Sequence, residues 1–173
     1  VHLSAFGKNL IEGILKIAIF IGYTALTALT KDIRRTYEYH GAEHKTIACY
    51  EHEEELTVEN VKKYTRFHPR CGTSFIFLVL FISIFVNTIF RVSWASILLR
   101  VVIKIALLPI VTGIAYELIR LAGKYDNIFT KIISAPGLWI QRITTSEPDE
   151  SQIECAIAAL KACIPENKED DKW

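Results

Sequence analysis

The sequence predicts an all-α integral membrane protein with three transmembrane helices, a cytoplasmic helical hairpin, an interfacial segment and a C-terminal amphipathic helix. Hydrophobic residues make up 51% of the 173 positions, and they gather in long blocks rather than at amphipathic spacing. Residues 73–90 contain no charged side chain over 18 positions and are apolar around the whole helical circumference. A bilayer core asks for roughly 20 such residues, whereas a helix bordering water keeps a polar face.

A further span is predicted over 6–29. It carries Lys8, Glu12 and Lys16 at i, i+4 and i+8, so the three share one face. The last span is predicted over 96–121. Arg100, Lys104, Thr112, Tyr116 and Arg120 recur there in steps of four or eight, with Glu117 beside them. Charges inside a bilayer are costly and turn toward protein or water, although Arg100 and Arg120 can also snorkel to headgroups. Pro109 and Gly113 predict a kink in this span. Two polar stripes on so few spans suggest a homo-oligomer enclosing a polar chamber lined by Glu12, Lys16, Arg100, Lys104 and Glu117. A formal net charge of +1 offers no bulk attraction for nucleic acid.

Between the spans, residues 31–72 carry eight Lys and Arg residues, and the link 91–95 carries one. The positive-inside rule therefore places 31–72 and the C-terminus on the cytoplasmic side, with the link outside. The start of the chain then falls outside. That placement, with Val1 in place of Met and no signal peptide, leads us to expect an earlier span in a longer protein. Cys49, Cys71, Cys155 and Cys163 make a poor disulfide framework, in keeping with a reducing compartment.

The 31–72 segment reads as helix, acidic turn, helix. The first helix, 31–50, extends the preceding span. Thr57 is the expected N-cap of the second, with Glu59 in its first turn, and Pro69 is expected to end it. Residues 128–143 are apolar but interrupted by Lys131, Pro136 and Gly137, and Trp139 suits the headgroup level. They are expected to lie at the interface. Ser146, Glu147 and Pro148 open a last helix, 148–163, with proline in its first turn. Ile153, Ala156, Ile157 and Leu160 line one face of it, suited to a partner helix, another subunit or a docking partner. Residues 1–164 form one membrane domain, and the charged tail 165–173 is expected to be disordered.

Chemistry concentrates at two strings. His40-Gly41-Ala42-Glu43-His44 is an H-x-x-E-H pattern, and His68-Pro69-Arg70-Cys71 follows it. Two His four residues apart on a helix share a face and can present imidazoles to one metal ion. His40, His44 and His68 are candidate Zn²⁺ ligands, with Cys71 as a fourth or alternative ligand and Glu51 as a further oxygen donor. Glu43 would be the general base toward water, and Arg70 would contact a substrate oxyanion or phosphate. The competing reading makes His40 and His44 polar interfacial side chains and Cys71 a small buried residue.

The chain also resembles a known family. The strings are Tyr39-His40-Gly41-Ala42-Glu43-His44-Lys45-Thr46, Leu56-Thr57-Val58-Glu59-Asn60 and His68-Pro69-Arg70-Cys71-Gly72-Thr73-Ser74-Phe75. Ala115-Tyr116-Glu117-Leu118 and the run from Pro136 to Thr145 continue the match. They are similar to the bacterial YqhQ-like family of uncharacterised membrane proteins, over about residues 9–160. Family members are longer at the N-terminus, and the label attached to them is predicted metal-dependent enzyme. The resemblance thus implies a membrane protein with a metal-dependent activity. A zinc-dependent hydrolase acting on a membrane-proximal substrate is the leading expectation. A non-enzymatic oligomeric conduit or scaffold with structural metal is the other.

Overall fold

A computed structural model describes residues 5–89, 96–125 and 127–165. The described chain is all-α, with helices α1 (Ala5–Thr27), α2 (Lys31–Glu51), α3 (Val58–Lys62), α4 (Gly72–Ile89), α5 (Ile97–Lys124), α6 (Ile128–Thr144) and α7 (Glu150–Cys163). The expected external link 91–95 and the tail beyond 165 lie outside the described residues.

Among the described residues, two helices are long and apolar enough to cross a membrane: the 22 residues Phe6–Thr27 and the 28 residues Ile97–Lys124. At 1.5 Å per residue they reach about 33 and 42 Å, against a hydrocarbon core of about 30 Å. Only 11% and 6% of their apolar windows is buried within the chain. Core helices of a water-soluble protein would bury most of that surface. Helix α4 is apolar but shorter.

The first helix stops earlier than expected, and 31–50 does not extend it. The hydroxyls of Thr27 and Thr30 donate to the carbonyls of Thr24 and Thr27, and Thr30 takes the extended backbone of an N-cap. A turn thus separates α1 from α2. Helix α5 runs unbroken through Pro109; the Thr112 hydroxyl donates to the carbonyls of Leu108 and Pro109 at 2.9 and 3.1 Å.

The described residues divide into two compact units. Described residues up to 23 and between 69 and 137 form one, and those between 24 and 68 and from 138 onward form the other. In the first, Asn9 donates to the backbone carbonyl of Asn87 at 3.2 Å. Glu12 receives Lys16 at 2.6 Å and Lys104 at 2.9 Å. Four of the five residues expected to line a chamber, Glu12, Lys16, Arg100 and Lys104, border a small polar cavity here, with room for about one water. Glu117 does not join them; it is paired with Arg120 at 3.6 Å.

The second unit packs α2, α3 and α7 around Ala42, Cys49, Val61, Ile153 and Ile157. The Ile153 face of α7 is therefore covered within the chain, which removes it as an exposed docking surface. Helix α7 starts at Glu150 rather than Pro148. The Asp149 carboxylate accepts the backbone N–H of Gln152, and the Gln152 side chain accepts that of Asp149, a capping box visible in the sequence as Asp149-x-x-Gln152.

Thr57 caps α3 as expected, its hydroxyl accepting from the Asn60 N–H at 3.3 Å. The helix ends at Lys62, not at Pro69. Beyond it, the Thr65 hydroxyl accepts the N–H of Phe67, and both backbone groups of His68 bond to Gln141. These partners replace the ones a continued helix would have supplied.

Candidate metal centre

On α2, His40 and His44 stand one turn apart with ring centroids 4.3 Å from each other. His44 is buried, His40 half-buried. Each ring is oriented by a main-chain carbonyl: His40 Nδ1 lies 2.8 Å from the Thr144 oxygen, and His44 Nδ1 lies 2.7 Å from the Arg66 oxygen. A carbonyl oxygen has no proton to give, so both Nδ1 atoms must donate. In the neutral rings the Nε2 atoms then carry the lone pairs. Metal-binding histidines are commonly held this way, by a hydrogen bond from the other ring nitrogen that sets tautomer and direction.

The carbonyls are themselves fixed. Ser146 donates its N–H to the Tyr37 carbonyl at 2.9 Å, laying the 144–146 backbone along α2. A Cβ at Gly41 would collide with the Ser146 carbonyl oxygen. The glycine inside the H-x-x-E-H string therefore admits the strand of backbone that orients His40. On the other side, Arg66 donates to the carbonyl and hydroxyl of Thr145. Glu147 bridges Arg66 at 3.5 Å and the buried Lys45 at 2.7 Å.

The His68 ring centroid is 5.7 Å from that of His44. Gln141, fully buried, receives the His68 N–H at 2.8 Å and returns a bond to its carbonyl at 2.7 Å. The His68 Nε2 faces the Glu51 carboxylate at 3.4 Å. Of the four expected ligands, His40, His44 and Cys71 belong to a donor group that could hold a metal ion, and His68 is not part of it. Cys71 is buried and follows His68 by three residues, at most about 11 Å of chain. Two nitrogens and one sulfur suit Zn²⁺, and three protein donors leave a coordination position open.

Glu43 is exposed on α2, flanking the histidine face. Arg70 is half-buried, its aliphatic stem lying against Gly123, where a Cβ would strike it. Burial moves its guanidinium below the ordinary arginine value. Gln141, Thr144 and Arg66 were not singled out as site residues by the sequence pattern. Gln141 and Thr144 had one local signal, the Pro136–Thr145 run of the family match, and Arg66 had none.

The described residues thus form an all-α chain with two helices long and apolar enough to cross a membrane and a His/His/Cys group that could hold a metal ion. Residues 2–166 match the family model described as "Protein of unknown function (DUF1385)", and the chain belongs to that family. It is 42% identical over 155 residues to the "Uncharacterized protein YqhQ" of Bacillus subtilis (strain 168). That alignment covers 89% of this chain and 48% of the relative, so the chain spans about half the length of the curated relative it matches. No solved structure matches it.

Proposed function

We propose that this protein is a zinc-dependent hydrolase of the bacterial cytoplasmic membrane, acting on a substrate at the membrane surface. Its helices α1, α4 and α5 are the three spans, with 31–72 and the C-terminus on the cytoplasmic side. His40, His44 and Cys71 hold the metal, and His68 supports the site through its bond to Glu51. Zn²⁺ would supply Lewis acidity toward water and a polarised acyl or phosphoryl oxygen. Glu43 takes the proton, and Arg70 contacts the substrate's negative charge.

The observation that carries this reading is the pair of Nδ1–H···O=C bonds, which sets both neutral rings in the tautomer whose Nε2 carries the lone pair a metal would need. Its test is elemental analysis of protein purified in detergent. About one zinc per chain is expected in the wild type and in Glu43→Gln, and none in the His40→Ala, His44→Ala double variant. A wild type without stoichiometric metal sinks the proposal.

A second reading is a non-enzymatic homo-oligomeric conduit or scaffold. It is favoured by the Glu12, Lys16 and Lys104 cluster within otherwise apolar helices. A monomeric mass in detergent would end it.

A further inference from the structure

The unit built from the described residues up to 23 and between 69 and 137 contains a second cavity, far larger than the polar one, of about 540 Å³. Ile17 of α1, Phe77 and Phe81 of α4, Ile119 of α5 and Ile132 of α6 form its walls. Its volume falls in the range of small-molecule sites, roughly 300–1,000 Å³. Among the described residues, the only side-chain polar groups on its lining are the hydroxyls of Ser74 and Ser134. Ordered water needs two to four polar partners, so this space suits a hydrocarbon guest.

One edge of the cavity is different. Pro69, Ser74 and Ala122 line it there. Arg70 follows Pro69, and its stem packs on Gly123, next to Ala122. Gly137 lets Ser74 approach closely: a Cβ there would stand 2.5 Å from the Ser74 Cβ and Oγ. A half-buried guanidinium therefore sits beside the hydroxyl-lined edge of an apolar chamber.

We propose that this cavity binds one acyl chain of an anionic membrane lipid, with Arg70 at the headgroup end. The helices around it present apolar faces outward, as at Ile76 and Ile105, so lipid is the surrounding medium from which the guest is drawn. Charge complementarity at Arg70 selects an anionic headgroup over a zwitterionic one. The proposal rests on the membrane placement proposed above and does not require the metal at His40 and His44.

The test uses the full chain in phosphatidylcholine nanodiscs containing a trace of phosphatidylglycerol with a diazirine on one acyl chain. After illumination, adducts are mapped by mass spectrometry. They should concentrate on Phe77, Phe81, Ile119 and Ile132. Filling the cavity with Ala122→Trp should lower those adducts about tenfold, equivalent to about 1.4 kcal/mol of affinity. Leu98→Trp, on an exposed face, should leave them unchanged. Arg70→Gln should make labelling by the phosphatidylglycerol probe no stronger than by a matched phosphatidylcholine probe.

The wild-type map decides the matter even if a variant fails to fold. Adducts spread evenly over Leu98, Ile105 and other exposed positions would overturn the proposal. So would cross-links between two chains through the cavity, which would make its occupant protein. Undiminished phosphatidylglycerol preference in Arg70→Gln would overturn the headgroup assignment.

Discussion

Gly41 of α2 and the backbone carbonyl of Ser146 approach so closely that no Cβ fits between them. This contact keeps the 144–146 segment against α2, where the Thr144 carbonyl receives the His40 Nδ1 proton. Glycine weakens a helix, so its presence inside the H-x-x-E-H string needs a packing reason, and Ser146 is that reason.

Gly41→Ala should therefore destabilise the protein. Helix propensity alone would favour alanine by about 1 kcal/mol. The clash is with backbone, which cannot swing aside, and overpacking of this kind costs about 1–3 kcal/mol. A lower thermal midpoint in detergent, with reduced metal retention, is the expected result.

Gln141→Leu should be more damaging than its similar volume suggests. Both the N–H and C=O of His68 lose their partner inside a buried environment. The expected loss is about 2–5 kcal/mol. Limited proteolysis should then find new cleavage between residues 63 and 71, the segment this side chain pins.

Glu53→Gly should stabilise. Glu53 has φ 57° at the end of α2, where its N–H donates to the Tyr50 carbonyl and that of Glu54 to the Cys49 carbonyl. This is a Schellman ending with a non-glycine residue in the left-handed region. Relief of that conformation is worth about 1 kcal/mol, read as a higher thermal midpoint.

The α7 cap should respond to acid. The Ser151 hydroxyl, and then the Gln152 backbone N–H, hold the Asp149 carboxyl below its ordinary value of 3.8. A depressed folded pKa means the cap's contribution is fully present above the unfolded value and is lost as pH falls through the folded one. Amide exchange in the first turn of α7 should quicken below about pH 4, beyond the intrinsic pH effect. Asp149→Asn, which caps without titrating, should show a much smaller change.

Local pattern carried much of the architecture. Apolar blocks marked α1, α4 and α5 because hydrophobicity is written in consecutive residues, and α1 and α5 are long and apolar enough to cross a membrane. Thr57 was legible as a cap, and the 3.6-residue repeat put His40 and His44 on one face and Ile153 with Ile157 on another. The early end of α3 was not legible. It depends on Gln141, 73 positions from His68, supplying hydrogen bonds that a longer helix would otherwise have made.

What the sequence determined by itself was a helical chain with membrane-length apolar segments, a motif-bearing middle and its family. What the tertiary structure decided was what those residues are for in the fold. It buried the Ile153 face against α2 and α3, gave Gly41 its contact, and aimed the two histidines. Thr144 lies 104 residues from His40, and Arg66 lies 22 from His44. The groups that fix both rings are main-chain carbonyls, which every residue possesses, so no side-chain pattern could announce them before folding brought them within 3 Å.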